Sequence, residues 1–199
     1  KFWAKLNRGG AARVNEKSFD EIAFVTFNYD RCIEQFLFFA CQAYYRMSAA
    51  TAADFVRDIA ICHVYGSLGD PFTADGGLIF GEGSYPHHVI LPSERILTYS
   101  ERVGTDQLHT IAQHLNQAQQ IVFLGFSYAP INQRILDHAE MSGGMKKVFG
   151  TSYRMSSPDK DRARDWCDNT FRRGEPGAHL QDALASEFFD QNALLFGQR

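Results

Sequence analysis

Three short segments carry residues able to do chemistry. Asn28 and Asp30 follow a short apolar run, Ile22 to Phe27. His63-Val64-Tyr65-Gly66-Ser67 and Gly125-Phe126-Ser127 close two later apolar runs. An Asn carboxamide both donates and accepts, so Asn28 suits a ribose hydroxyl or a held water. Its alternative role is a turn residue that tolerates an unusual backbone angle. Asp30 is placed equally well to touch a ligand or to cap the helix that follows. His63 and Tyr65 lie two apart on an expected strand and so share a face. With an ordinary pKa of ~6.5, His63 is a candidate general base, against the commoner role of a packed interior histidine. Gly125 and Ser127 precede an expected helix, whose N-terminal N–H groups accept phosphate. Gly66 and Ser67 offer a similar turn, although tight turns need glycine with or without a ligand. His87 and His88 have no nearby carboxylate or Cys to complete a metal-ligand set.

These segments are positioned by alternating strands and helices. The apolar runs Ile22–Phe27, Ile59–Tyr65, Ile121–Leu124 and Met145–Phe149 predict strands buried on both faces, as in parallel sheets. Helical periodicity follows Asp30 from Cys32 to Tyr44, and recurs over Ala50–Arg57, Glu94–Arg102, Asp106–Gln119, Ile131–Ala139, Pro158–Asn169 and Leu180–Phe189. Asp70–His88 reads as a long irregular loop. The alternation predicts an α/β fold, a Rossmann-like parallel sheet with helices on both faces. Ligands bind such sheets at the carboxyl ends of the strands. Here those ends carry Asn28-Tyr29-Asp30, Gly66-Ser67, Gly125-Phe126-Ser127 and Gly150-Thr151-Ser152, a pattern that suits a nucleotide.

At 199 residues and 45% hydrophobic content, the chain predicts one domain over 1–199, with a motif-bearing core at 22–152 and a helical part at 153–199. A net charge of −3 gives no reason to expect nucleic acid or an anionic membrane as partner. No apolar run approaches the ~20 residues that span a bilayer. The four cysteines form no Cys-x-x-Cys pair, which argues against structural zinc and for reduced thiols in the cytoplasm. Lys1 to Lys17 has a Gly-Gly pair, five Lys/Arg residues and no clear period. It reads as an entry in mid-domain, so an N-terminal strand–turn–helix is expected to be missing. A homo-oligomer or a fused or upstream segment stays open as partner.

Thr26-Phe27-Asn28-Tyr29-Asp30 resembles the Thr-Gln-Asn-Ile/Val-Asp motif of the sirtuin-like family of NAD+-consuming domains. It is closer still to the Thr-x-Asn-Tyr-Asp form of the prokaryotic branch, which Glu34 also fits. His63 to Ser67 falls where that family has its catalytic His-Gly-Ser. Ile121 to Ser127 resembles the later strand whose Gly-x-Ser turn binds the nucleotide, with Asn132 following at a matching place. The resemblance covers residues 22–152. It implies NAD+ as substrate or ligand, without a metal, and an NAD+ glycohydrolase of the kind found in bacterial anti-phage defence. Asn28 would position the attacking water and His63 would act as base or hydroxyl contact. Thr26, Asp30, Tyr65, Gly66, Ser67, Gly125, Phe126, Ser127, Asn132 and Thr151 would line the dinucleotide.

Three departures accompany the resemblance. The family's Gly-Ala-Gly turn for the pyrophosphate has no counterpart, and the zinc-binding cysteine pairs of protein deacylases are absent. Tyr65 stands immediately before Gly66, where the catalytic His would be. The last departure raises a second expectation, a catalytically inactive module that senses NAD+ or ADP-ribose. The two expectations differ at His63: an imidazole turned into the crevice favours the enzyme, and one packed in the interior favours the sensor.

Overall fold

Short apolar runs rich in β-branched and aromatic residues, each followed by a helical period, fold here as parallel strands joined through helices. The computed structural model describes residues 19–73, 80, 96–97, 103–137 and 144–192. They fall into two compact units, one within Ala12–Gln107 and one within Leu108–Arg199. The architecture is mixed α/β and Rossmann-like, with parallel sheets flanked by helices.

In the first unit β1 (Ala23–Thr26) pairs in parallel with β2 (Ala60–His63), so that Ala23 faces Ala60 and Thr26 faces His63. Parallel pairing requires a crossover, and α1 (Cys32–Tyr45) and α2 (Ala49–Arg57) supply it. The crossover helix α1 buries Leu37, Ala40 and Cys41, while α2 buries Ala52, Ala53 and Val56. At the start of α2, Ser48 accepts the Thr51 N–H at 3.2 Å, satisfying one donor left open by the first turn. The first unit ends in the opening turn of α3 (Thr105–Gln117), whose buried residues Ile111 and Leu115 belong to the second.

The second unit is a three-stranded parallel sheet in the order β3 (Gln120–Phe123), β4 (Lys147–Thr151), β5 (His179–Gln181). Between them run α4 (Pro130–Asp137) and α5 (Ser157–Arg172), and α6 (Ala185–Gln191) follows β5. Phe123, Phe126, Tyr128, Trp166 and Phe171 form an aromatic cluster, with Phe126 stacked on Trp166 at 6.2 Å between centroids and Tyr128 edge-on to Phe126 at 5.1 Å. Such pairs add to simple area burial. Tyr128 can cross β4 because position 150 is glycine. A Cβ there would stand 2.6 Å from the Tyr128 hydroxyl and 3.0 Å from Phe123 Cβ.

The four predicted strands are present and parallel, but they divide between two sheets. β1 is half-buried, with Ala23 exposed, rather than buried on both faces; among the described residues β2 is its one strand neighbour. The predicted helix Leu180–Phe189 is corrected to strand β5 followed by α6, so the part after residue 152 is not wholly helical. Gly174 (φ 82°) and Gly177 (φ 144°) redirect the chain after α5, and Asp168 accepts the Ala178 N–H at 2.8 Å, delivering Leu180 to the sheet. Arg31, not Asp30, occupies the N-cap position of α1; Asp30 accepts the Cys32 N–H one step earlier, at 3.0 Å. The predicted helix Glu94–Arg102 lies outside the described residues except Ile96 and Leu97, which are in neither helix nor strand. In the predicted loop Asp70–His88, the described residues Asp70–Thr73 and Phe80 are likewise irregular.

The tight crossing at position 150 carries a prediction. Gly150→Ala overpacks the cluster and lowers stability by about 1–3 kcal/mol in denaturant titration. In a Tyr128→Phe background, which removes the nearest atom, the same substitution costs less; an equal cost in both backgrounds would refute the clash.

Candidate functional site

At the carboxyl ends of β1 and β2 the chain leaves both strands through turns built by their own side chains. Thr26 Oγ1 accepts the Asn28 N–H at 3.2 Å, and the Thr26 carbonyl accepts the Val64 N–H at 2.9 Å. β2 ends at His63, and the Gly66 N–H donates to the His63 carbonyl at 3.0 Å, closing a turn with Gly66 at φ 78°. The expectation that His63 and Tyr65 share a strand face is therefore corrected: the strand stops before Tyr65. The Tyr65 ring packs edge-on against Phe27 at 6.0 Å between centroids. Ser67 Oγ accepts the Gly69 N–H at 3.4 Å, and the Arg31 guanidinium, buried beside the same loop, reaches the Gly69 carbonyl at 3.4 Å. Asn28, Tyr29 and Asp30 are exposed.

Asn28 and His63, the two residues singled out for catalysis, do meet, but through the backbone. His63 Nδ1 lies 2.8 Å from the Asn28 carbonyl oxygen, and Nε2 lies 2.7 Å from Glu34 Oε1. The two side chains of this ion pair are 8% and 13% exposed. A carbonyl only accepts, so Nδ1 carries a proton; Nε2 faces a carboxylate, so the second proton is favoured there as well. Burial acts on the imidazole most strongly and lowers its pKa. The hydrogen bond to Glu34, the Asn28 carbonyl and the charges of Glu34 and Asp30 together outweigh it and raise the pKa above the usual imidazole value. The His63 carbonyl also accepts from the Gln107 side-chain amide.

Glu34 and Gln107 were not among the site residues read from the sequence. The signal for Glu34 was present, because it is the only charged residue in α1. A lone acid in an otherwise uncharged helix calls for a partner inside the fold.

The second unit has its own strand-end arrangement. Thr151, buried at the end of β4, accepts the Gly125 N–H on its hydroxyl at 2.9 Å, which ties the turn after β3 to the neighbouring strand. Gly125 has φ 61°, and a Cβ there would meet no atom within 4 Å, so the backbone borders open space. Ser127 is exposed just ahead of α4, Phe126 sits in the aromatic cluster, and the half-buried Asn132 donates its backbone N–H to the Ala129 carbonyl at 3.0 Å.

A family model for the SIR2-like domain matches residues 22–170, most of the chain and all of the motifs above. The chain belongs to the SIR2-like family. No curated protein and no solved structure matches it. SIR2-like domains are NAD+-dependent, so membership implies an NAD+-related role. Exposed Asn28 and Gly66, with its positive φ, stand at the strand ends of one unit, and Gly125, also with positive φ, stands at a strand end of the other. Among the described residues of this SIR2-like domain no three His, Cys, Asp or Glu side chains group to hold a metal ion. The cysteines are free, and burial pushes the Cys41 thiol up to about 11 and Cys167 up to about 12. Among the described residues no helix is long and apolar enough to cross a membrane.

The buried pair makes stability depend on pH. His63 has a folded-state pKa above its unfolded value, so its contribution is fully present below the ordinary value of ~6.5 and is lost as pH rises through the folded-state value. Unfolding free energy should fall as pH rises above ~6.5, and His63→Gln should flatten that dependence; an unchanged pH profile in the variant refutes the assignment. Glu34→Ala removes the counter-charge, so burial is no longer offset and the imidazole stays neutral to lower pH; the lost hydrogen bond should cost about 1–3 kcal/mol by chemical denaturation.

Proposed function

We propose that this SIR2-like domain binds NAD+ or ADP-ribose at the strand ends and acts as a sensor of the nucleotide rather than as its hydrolase. The observation that carries the reading is that neither side chain near the family's histidine position is free to take a proton. Both ring nitrogens of His63 are engaged, one by the Asn28 carbonyl and one by Glu34. Tyr65 stands at the histidine position itself, and burial pushes its phenol above its usual value, which keeps it protonated near neutral pH.

Binding needs less than catalysis does. The exposed Asn28 carboxamide offers a donor and an acceptor to ribose hydroxyls, and its backbone is held on both sides, by Thr26 Oγ1 and by His63 Nδ1. Little conformational freedom remains for a ligand to remove, which favours affinity. Gly66 and Ser67 would accept close approach of the ligand to the backbone, and Asp30 would offer an acceptor. In the other unit Thr151 holds the Gly125 turn through its hydroxyl, and by the motif resemblance Gly125 and Ser127 would offer a nucleotide backbone N–H groups ahead of a helix.

A second reading is an NAD+ glycohydrolase, the activity that the motif resemblance implies. What favours it is Asn28 itself, an exposed carboxamide on an immobilised backbone, which suits holding a water. NAD+ supplies a nicotinamide leaving group whose departure leaves a ribosyl cation, so positioning and electrostatics carry much of such a reaction. In that case Asn28 orients the water and His63 acts only by holding Asn28.

Calorimetric titration with NAD+, alongside chromatographic assay for nicotinamide, separates the two. The sensor gives saturable binding without nicotinamide release, and Asn28→Ala weakens binding on the order of 10-fold, as loss of a ligand hydrogen bond does. Release of nicotinamide that Asn28→Ala reduces on the order of 100-fold establishes the hydrolase instead. No binding and no release overturns both.

A further inference from the structure

We propose that Glu34 is a positioning residue for the nucleotide site: through the His63 side chain it holds the Asn28 carbonyl, and so fixes the direction in which the Asn28 carboxamide presents itself. The inference rests on the reading that Asn28 meets NAD+. It adds a residue on a different element, in the first turn of α1, which has no place in that contact itself.

The geometry runs in one line from helix to strand end. Glu34 Oε1 lies 2.7 Å from His63 Nε2, and His63 Nδ1 lies 2.8 Å from the Asn28 carbonyl oxygen. The imidazole spans the two acceptors as a rigid planar spacer, so a displacement of one acceptor is transmitted to the other. His63 is held from the backbone side too, by the Gln107 amide and the Gly66 N–H on its carbonyl. The remaining side of the Asn28 peptide is fixed by Thr26 Oγ1. With its neighbours held, the Asn28 side chain is the part left exposed at the end of this chain of contacts.

Glu34 is not placed as stability alone would place it. Its second oxygen, Oε2, is buried with no hydrogen-bond partner among the described residues. Leaving a buried acceptor unmet is unfavourable, and a neutral hydrocarbon pair of similar volume would avoid both that and the desolvation of two charges. What such a pair would lose is the directed hold on the Asn28 carbonyl. Among the described residues the charges that act on His63 are Glu34 from α1 and Asp30 from the turn before it, while Arg31 senses the charges of Glu34 and Asp70. From α3 the neighbour is the neutral Gln107. Loss of one proton leaves the imidazole a single N–H for two acceptors. One of the two bonds is then given up, and the Asn28 carbonyl is held only part of the time.

The test uses the whole chain, with NAD+ as the probe. The nitrogen chemical shifts of His63 report its protonation, and calorimetry across pH 6 to 9 reports affinity. Wild type should lose NAD+ affinity in step with the loss of one imidazole proton. Glu34→Leu, which removes every hydrogen-bonding atom at Nε2, should keep the fold by circular dichroism, bind on the order of 10-fold more weakly below that titration, and lose that pH dependence; Glu34→Asp should recover part of the affinity. In an Asn28→Ala background Glu34→Leu should cost nothing further. A folded Glu34→Leu protein with wild-type affinity and pH profile overturns the proposal while leaving NAD+ binding intact. Failure of the wild type to bind NAD+ removes the parent reading and this one with it. Should Glu34→Leu not fold, the wild type decides alone: affinity that stays flat while His63 titrates overturns the proposal.

Discussion

An imidazole that donates from both nitrogens to oxygen acceptors is a cation, and a cation inside a protein requires a counter-charge. In this chain the requirement links three elements that have little else in common. The turn after β1 supplies the acceptor, β2 carries the ring, and α1 brings the carboxylate, 29 positions before His63. The β1–β2 ladder places Thr26 opposite His63, which brings the ring within reach of the residue two beyond the strand. Shift the ladder by one residue and the ring points to the other face. Strand register, helix placement and turn geometry in the first unit thus meet at one side chain.

That arrangement bears on how a binding site and a catalytic site differ. Catalysis asks for groups that change protonation or act more strongly in the transition state than on the bound ligand. A residue whose two ring nitrogens are both engaged by its own fold has no lone pair to turn on a ligand. His63 is such a residue, whereas Asn28 has its backbone committed and its carboxamide exposed. The division of labour between them resembles that of a positioning residue and a ligand contact.

Much of the framework was legible in the sequence, for a physical reason. The four longer strands announce themselves as apolar runs because they lie against helices, and the helices show a 3.6-residue period because each buries one face. β5 was not legible: over His179–Gln181 only Leu180 is fully buried, and one buried residue makes no period. Its position is set by Gly174, Gly177 and the Asp168 contact, which are tertiary facts. Within the site, the order of Asn28, His63 and Gly66 could be read from motifs, and so could the anomaly at Tyr65. The use of the Asn28 backbone rather than its side chain could not, because residue type says nothing about which atom a neighbour will reach. Glu34 stood as a single acid on an uncharged helix, and its partner became evident only when strand and helix were placed together.

The parallel pairing of β1 with β2 also orders events in time. A hairpin can form as soon as its second strand exists, but Ala23 and Ala60 meet only after the whole crossover between them has been made and packed. During synthesis α1 emerges with Glu34 before its counter-charge has been translated, and Asn28 has no ring to hold its carbonyl. The first unit therefore passes through a stage in which its helices can form while its strand-end site does not exist. Closure of that long loop is entropically unfavourable, and it is the same step that completes the ion pair. Acquisition of the fold and acquisition of a ligand-ready Asn28 are, for this unit, one event.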